Sequence, residues 1–198
     1  MSQENPSERD GENSASSSEN SLFTNAPIGI INTTPEGRLL SANPAMAKMF
    51  GYDSPDELIE SVNESTILLY ADSSDREELL RLLRENEEVL DYEARGVRRD
   101  GSTIWTSLNV NVIRDKNGKI THFQTFITDI TERKHAEEAL QKSESYYRTI
   151  FETSGTGMFI MEEDTTISQV NSNFEKLTGY SKQEVESKKS WTEFVHAN

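Results

Sequence analysis

Cysteine is absent from this chain, and histidine occurs only three times. Without cysteine the chain has no disulfide, no thiolate metal site and no thiol chemistry. No apolar run approaches the length needed to span a membrane, and the N-terminus lacks the basic and apolar regions of a signal peptide. We therefore expect a cytoplasmic protein that makes no direct contact with a membrane.

Basic residues are scarce, because 20 Lys and Arg stand against 35 Asp and Glu, for a formal net charge of −15. A negatively charged surface cannot neutralise many phosphates, so we expect no binding to nucleic acid. The sequence also lacks a glycine-rich phosphate loop, a paired-carboxylate site and a nucleophile–base arrangement. We therefore predict no catalytic residues in the chain itself.

Apolar side chains are almost missing from residues 1–20, which are rich in Ser, Glu and Asn. Such a segment buries too little apolar surface to offset the entropy that it would lose on ordering. The composition predicts a disordered acidic leader over residues 1–20.

A weak internal repeat is present, since residues 23–52 align without gaps with residues 151–180. The matches include Gly and Asn positions, where the residue type is chosen for backbone reasons. The identical pairs are Phe23/Phe151, Gly29/Gly157, Asn43/Asn171, Lys48/Lys176, Gly51/Gly179 and Tyr52/Tyr180. A spacing this long predicts two copies of one domain rather than a solenoid.

The first copy opens with a predicted hairpin. Residues 28–32 and 38–42 have strand composition and are separated by a Pro-Glu-Gly turn. Asn43 then caps a short helix that has Pro44 at its first position and ends before Gly51.

Two capping boxes predict the helices that follow. Ser54 with Glu57 opens one short helix, and Ser74 with Glu77 opens a longer one. The longer helix carries an apolar face composed of Leu79, Leu80, Leu82 and Leu83.

Three strands are predicted next, separated by the turn signals Asp100-Gly101 and Asn117-Gly118. In the middle strand one face is apolar and should point to a core. Its members are Ile104, Thr106, Leu108, Val110 and Val112. The last strand, residues 120–128, carries Phe123 and Ile127 on one face and Phe126 on the other.

A long helix leaves the last strand, with Asp129 or Thr131 as its N-cap, and continues to about Phe151. Apolar or small residues recur along it at spacings of four and three, as in a short coiled-coil seam. We call these residues the seam: Ala136, Leu140, Ser143, Tyr147 and Ile150. The pattern predicts parallel pairing of two such helices.

The order of the predicted elements, and the residues at their caps and turns, resemble those of the PAS domain family. The similar pieces are Asn43-Pro44, Gly51-Tyr52, the run RRDGS at residues 98–102, and the run TDITERK at residues 128–134. The last run is similar to the stretch that closes PAS domains in microbial sensor proteins and leads into an output helix. The resemblance covers residues 22–198.

The resemblance implies an α+β fold, a five-stranded antiparallel sheet with short helices on one face that enclose a small cavity. It places a PAS domain at residues 21–131, a signalling helix at 132–150 and the N-terminal part of a second PAS domain at 151–198. Candidate pocket residues are Ile30, Met46, Met49, Phe50, Leu83, Leu108 and Val110. Candidate signal-transmission residues are Asp129, Ile130, Thr131, Leu140, Tyr147 and Ile150.

Cofactor chemistry known in the family is restricted here. A photoactive flavin adduct requires a cysteine, and haem requires an axial histidine, typically on the long helix, where residues 74–88 have none. His122 is expected to be a half-exposed strand residue and His135 an ordinary helix residue, so we expect no metal site. Flavin held without a covalent bond stays open, and the cofactor is unknown. Trp105 is expected on the sheet face opposite the core, against a cap or a partner chain.

The expected function is that of a non-catalytic sensory and dimerisation module. It would bind a small ligand or a partner, form a homodimer through the exit helix, and signal to an output domain in a longer parent, most simply a histidine kinase in a phosphorelay. The alternatives are the sensor part of a transcription regulator or of a cyclic-dinucleotide enzyme, and a ligand-free scaffold for protein–protein interaction.

Overall fold

The computed structural model describes residues 20–62 and 66–195, so the predicted leader lies outside the described residues except for residue 20. Residues 20–25 form a short helix that precedes the first strand. The chain divides into two compact units, Met1–Lys134 and His135–Asn198. Each unit is considered by itself.

The first unit contains a five-stranded sheet in which every neighbouring pair is antiparallel, in the order β2-β1-β5-β4-β3. The strands are β1 (Gly29–Thr33), β2 (Leu39–Ala42), β3 (Glu88–Val97), β4 (Thr103–Arg114) and β5 (Ile120–Asp129). The expected α+β fold with a five-stranded antiparallel sheet is confirmed.

The segment between β2 and β3 is helical and supplies the cover for the sheet. It contains α1 (Pro44–Met49), α2 (Pro55–Val62), a 3₁₀ turn (Thr66–Leu69) and α3 (Ser73–Glu85). Their buried side chains join those of the strands in one core, whose members include Phe50, Leu58, Leu79, Leu83, Leu108 and Phe123. The burial of these apolar side chains is the main favourable contribution to folding.

Strand β4 alternates as its sequence predicts. Ile104, Leu108 and Val110 are buried on the helix-covered face, and Trp105 lies on the opposite face. Strand β5 behaves in the same way, with Ile127 in the core. The two turns expected between these strands are present, each with glycine at positive φ, 83° at Gly101 and 81° at Gly118.

A fully buried asparagine joins the segment before β1 to the first hairpin and to α1. The Oδ1 atom of Asn43 accepts hydrogen bonds from Ile30 N and Met46 N, both at 2.9 Å. Its Nδ2 atom donates to Phe23 O at 3.1 Å and to Ile28 O at 2.9 Å. Asn43 is thus the predicted helix cap, and it also supplies hydrogen bonds that hold β1 in place.

The start of α3 differs from the prediction. Its N-cap is Asp72, whose Oδ1 accepts from Ser74 N at 2.9 Å and from Ser74 Oγ at 2.7 Å. The Ser74 capping box was therefore wrong, because the Ser74 hydroxyl is engaged as a donor to an ionised carboxylate, a stronger bond than a neutral cap. At α2, Ser54 does accept from Glu57 N, but the Glu57 carboxylate accepts from Asp53 N instead of closing the box.

The second unit repeats the opening elements of the first on a smaller scale. Its elements are α4 (Thr131–Thr153), which begins in the first unit, then β6 (Phe159–Met161), β7 (Ile167–Val170), α5 (Ser172–Thr178), α6 (Lys182–Val185) and a 3₁₀ turn (Trp191–Phe194). Strands β6 and β7 pair antiparallel. The core is small and consists of Ile167, Val170, Phe174 and Val185, with Trp191 and Phe194 packed against it.

The buried asparagine also recurs. Asn171 Oδ1 accepts from Met158 N at 2.8 Å and from Phe174 N at 2.9 Å. Asn171 Nδ2 donates to Phe151 O at 2.7 Å and to Thr156 O at 2.9 Å. In the gapless alignment of the repeat, these four partners of Asn171 match the four partners of Asn43. Phe151, Thr156, Met158 and Phe174 align with Phe23, Ile28, Ile30 and Met46. Both asparagines have φ −90° and ψ 167°.

We expect Asn43→Ala to lower the free energy of unfolding of the first unit by about 3 kcal/mol, because it removes the cap of α1 and leaves buried backbone groups unpaired. The control is Asn117→Ala at an exposed turn, with an expected loss below about 0.5 kcal/mol. Urea denaturation followed by Trp105 fluorescence, in a Trp191→Phe background, measures both. Equal losses for the two variants would contradict the role given to Asn43.

Candidate functional site

A cavity of about 60 Å³ lies in the first unit between the sheet and the helical segment. Its walls are mainly apolar and come from β1, β3, β4 and β5 on one side and α1, α3 and the 3₁₀ turn on the other. The apolar wall residues are Ile31, Met46, Phe50, Leu69, Leu79, Leu80, Leu83, Leu108, Val110, Phe123 and Ile127.

Five of the seven pocket residues expected from the sequence line this cavity, namely Met46, Phe50, Leu83, Leu108 and Val110. The sheet register brings Leu108 opposite Ile127, and Val110 opposite Thr125. Met46 and Phe50 are one helical turn apart, so they enter the cavity from the same side of the first helix. Whether these residues bind a ligand stays a prediction.

Ile30 and Met49 do not line the cavity. Ile30 pairs with Phe126, whereas Ile31 pairs with Thr125, and both Ile31 and Thr125 line the cavity. Since successive strand residues point to opposite faces, the choice of Ile30 was wrong by one residue. Met49 is half-buried at the end of α1, and its main-chain oxygen accepts a bond from elsewhere in the unit.

The predicted pocket residues include none of the threonines that line the cavity. Thr33, Thr34, Thr66, Thr106 and Thr125 line it. The hydroxyl of Thr106 donates to Ala94 O at 3.0 Å, which satisfies it within the sheet. The alternation of β4 and β5 was the available signal, because Thr106 and Thr125 sit at core-facing positions of those strands.

Tyr70 and Arg76 complete the wall at the 3₁₀ turn and α3. Burial raises the pKa of the Tyr70 phenol well above its ordinary value, while the nearby positive charge of Arg76 acts in the opposite direction. The phenol is therefore neutral at pH 7. The Arg76 guanidinium packs against Gly37, which has φ 98° and leaves no room there for a Cβ atom.

The exit of the sheet is joined to α4 by backbone and side-chain hydrogen bonds. Asp129 Oδ1 accepts from Thr131 N at 2.9 Å, so Asp129 caps the helix as predicted. Ile130 N donates to Trp105 O at 2.9 Å, and Trp105 N donates to Thr131 Oγ1 at 3.0 Å. Strand β4 is thus bonded directly to the first residues of the helix.

Arg98 connects the same aspartate with the first helix. Its Nη2 atom lies 3.1 Å from Asp129 Oδ2, and its Nε atom donates to Met49 O at 2.9 Å. One side chain therefore contacts both the C-terminal end of α1 and the cap of α4. The three residues are far apart in sequence, and no local pattern indicates the contact.

Trp105 packs against the exit helix. The Nζ atom of Lys134 lies 5.4 Å from its ring centroid, and the Arg95 guanidinium lies 5.9 Å from it. Glu93 pairs with Lys134 and, at 2.6 Å, with Arg133. These cations, Lys134 first, hold the pKa of the Glu93 carboxyl below its ordinary value. The expected place of Trp105 on the outer face is correct, but its neighbour is the first turn of α4.

The seam residues of α4 are exposed. Leu140, Tyr147 and Ile150 have 61%, 68% and 44% of their surface accessible. Tyr147 and Ile150 border an open cleft of the second unit together with Met158 and Ile160. A helix face that exposes this much apolar surface is typical of a helix that pairs.

The last turn of α4 is held by polar contacts within the second unit. Glu152 Oε2 accepts from Ser172 N at 3.1 Å and from Ser172 Oγ at 2.8 Å. Its other oxygen lies 2.5 Å from Lys182 Nζ. The Lys182 hydrogen bond, followed by those from Ser172, lowers the pKa of Glu152 to about 2.

Metal ligands and membrane spans were searched for in residues 20–62 and 66–195. No group of three or more His, Asp or Glu residues that could hold a metal occurs there. Within the same ranges, no helix is both long and apolar enough to cross a membrane. His122 is half-buried beside Thr121, His135 is exposed, and His196 lies outside the described residues.

A five-stranded antiparallel sheet covered by short helices, with a cavity between them and a helix leaving the last strand, defines a class of α+β modules. A family model described as "PAS domain" matches residues 26–132, and a second, described as "PAS fold", matches residues 145–198. The chain belongs to the PAS domain family.

Relatives with different outputs are similar to this chain. The sensor histidine kinase TmoS of Ectopseudomonas mendocina is 28% identical over 144 residues, 70% of this chain and 14% of that protein. The bacterioopsin transcriptional activator of Halobacterium salinarum is 32% identical over 120 residues, 59% of this chain and 17% of that protein. The probable diguanylate cyclase DgcE of Escherichia coli is 26% identical over 135 residues, 68% of this chain and 12% of that protein. The chain thus spans a small part of each.

Solved structures share the fold. An RNA-binding light-oxygen-voltage receptor superposes with a TM-score of 0.57 at 22% identity, over 67% of this chain and 38% of that one. A PAS domain from Colwellia psychrerythraea superposes with a TM-score of 0.53 at 18% identity, over 60% of this chain and 98% of that one.

We expect acid to weaken the attachment of the last turn of α4. Because the pKa of Glu152 is lowered from 4.5 to about 2, its contribution to stability is complete above 4.5 and is lost as the pH falls towards 2. Glu152→Gln should reduce the dependence of stability on pH in this range. Glu163→Gln, at an exposed site, should leave that dependence unchanged. Hydrogen exchange at residues 167–170 between pH 5 and 2 is the measurement. Identical profiles for the two variants would refute the assignment.

Proposed function

We propose that this chain is a non-catalytic sensory and dimerisation module that binds a small molecule in its cavity and transmits the change through α4 to an output domain of a longer parent. The observation that carries the proposal is the continuous set of contacts from the cavity wall to the cap of α4. Coupling of this kind requires an element with two arrangements that the ligand biases.

The first connection runs through α1. Met46 and Phe50 line the cavity, and the same helix offers Met49 O to Arg98, which in turn contacts Asp129. A ligand that displaces α1 would change the geometry of this arginine and hence of the helix cap. Because the bond to Asp129 is charge-assisted, its direction and length matter to the cap.

The second connection runs through the sheet. Ile127 lines the cavity two residues before Asp129 on β5. Leu108 faces Ile127 from β4, and the same strand bonds to the exit helix through Trp105. A change in strand twist at the cavity would therefore reach the first turn of α4 through β4 and β5 together.

Pairing of α4 would carry the signal onward. The seam presents Leu140, Tyr147 and Ile150 to solvent, and two copies in parallel would cover them. Three heptads with a serine in the seam form a weak coiled coil, which suits a helix whose pairing has to change.

For the output domain we favour a histidine kinase in a phosphorelay, since the sensor histidine kinase TmoS matches 70% of this chain. The transcriptional activator and the diguanylate cyclase support the two alternatives in which the same module regulates transcription or cyclic-dinucleotide synthesis. A ligand-free scaffold is the remaining alternative, and the cofactor stays unknown.

Occupancy of the cavity separates a sensor from a scaffold. We expect native mass spectrometry of the purified chain to detect a bound small molecule that Thr125→Ile removes, because the larger side chain fills the cavity from β5. Thr128→Ile, on the exposed side of the same strand, should retain the molecule. Circular dichroism checks that both variants fold. A chain with no bound species, or one that Thr125→Ile leaves bound, would favour the scaffold.

Dimerisation through the seam has its own test. We expect a dimer whose dissociation constant rises at least about tenfold when Leu140 and Ile150 are both changed to Ser, since each loses about 1 kcal/mol or more of apolar burial. The double control Glu138→Ser with Gln141→Ser lies off the seam and should dimerise like the unmodified chain. Sedimentation equilibrium measures both. A monomeric chain, or equal effects of the two double variants, would reject the seam.

A further inference from the structure

The charge of the cavity wall is opposite to that of the protein. The chain has a formal net charge of −15, yet none of the described residues that line the cavity is acidic and two are arginines, Arg76 and Arg95. A cation at a wall whose described residues include no acid favours a negatively charged occupant.

Of these two arginines, Arg95 is engaged elsewhere. Its guanidinium stacks on Trp105 and donates to Thr103 Oγ1 at 2.9 Å, on the outer face of the sheet. Arg76 differs, because across the described part of the chain it makes no hydrogen bond and no ion pair with a carboxylate. On the same helix Arg81 pairs with two glutamates. A half-buried guanidinium without an anionic partner is the strongest recognition group of this cavity.

The guanidinium of Arg76 lies beside Gly37. It occupies the space where a side chain at Gly37 would begin, and the φ of 98° at Gly37 favours glycine there. Tyr70, on the adjacent wall, is a neutral phenol at pH 7, since burial raises its pKa. It can donate a hydrogen bond to an anion without repelling it.

Two threonine hydroxyls at the wall add possible donors. Thr33 and Thr125 are each 7% exposed and line the cavity. Neither hydroxyl has a hydrogen-bond partner among the residues that the structure describes. A hydroxyl on the cavity wall can donate a hydrogen bond to an acceptor atom of an occupant.

The volume limits the occupant to a small molecule. At roughly 10–15 Å³ for each water-sized position, 60 Å³ accommodates about four to six non-hydrogen atoms. Because leucine, valine and phenylalanine side chains form most of the wall, the rest of the occupant has to be apolar.

We propose that the cavity takes a short-chain monocarboxylate of about four carbons, whose carboxylate pairs with Arg76 and whose alkyl part lies against Leu79, Leu83 and Val110. This inference rests on the proposed function, because it names the ligand class of the same cavity. An amine of the same length would place a cation beside Arg76, and an alcohol would lack the ion pair.

The test compares sodium butyrate, 1-butanol, butylamine and sodium phosphate as ligands of the full chain, by isothermal titration calorimetry at constant ionic strength. We expect butyrate to bind at least about tenfold more tightly than butanol, as a hydrogen-bonded ion pair would provide. Butylamine and phosphate should bind more weakly still. Arg76→Gln should abolish the preference for butyrate over butanol, Arg76→Lys should retain part of it, and Arg84→Gln, an exposed change on the same helix, should retain all of it.

Other results overturn the inference in distinguishable ways. If butyrate and butanol bind equally, or if Arg76→Gln keeps the preference, the carboxylate class is wrong, while binding that Thr125→Ile removes would leave the sensor proposal standing. If phosphate binds as tightly as butyrate, the site is a general anion site and the ligand class is again wrong. If none of the probes binds and native mass spectrometry detects no bound species that Thr125→Ile removes, both the ligand class and the sensor proposal fail.

Discussion

The carboxamide of Asn43 holds together three segments that meet beside the cavity: the residues before β1, the start of β1 and the first turn of α1. All of its hydrogen-bonding capacity towards the backbone is used, with two bonds accepted by Oδ1 and two donated by Nδ2. An aspartate would lack the donors, and a glutamine would be one methylene too long. The placement of Met46 and Phe50 in the cavity wall follows from this anchor, since both lie on the helix that it caps.

The start of α4, where the chain leaves the sheet, is also held by side-chain hydrogen bonds to the backbone. Backbone groups at the start of a helix need partners, and here they find them on the sheet: Ile130 and Thr131 exchange hydrogen bonds with Trp105, while Asp129 caps the helix. The register of β4 and the start of α4 are therefore determined together. In the second unit Asn171 bonds Phe151 O within the last turn of α4, so that the helix is anchored by side-chain hydrogen bonds at both of its ends.

Helix caps, turns and strand alternation were predictable from the sequence, whereas contacts between distant side chains were not. Asn43, Gly101 and the alternation of β4 follow from capping, turn and pleat rules that act over a few residues. The one-residue error at Ile30 arose because a short apolar strand does not reveal which face is covered. Arg98 and Arg76 act through long side chains that reach across the fold, and a single sequence contains no signal of where such side chains end.

The exit helix α4 contains 23 residues in one uninterrupted run. At a rise of 1.5 Å per residue it is a rod of about 35 Å. A rod converts a small angle at one end into a large displacement at the other, and a tilt of about five degrees about Thr131 would carry the distal turn through about 3 Å. This amplification depends only on the length and stiffness of the helix. Changes of tenths of an ångström in the hydrogen bonds at the sheet would therefore move side chains at the far end by about 3 Å, the donor–acceptor distance of a hydrogen bond.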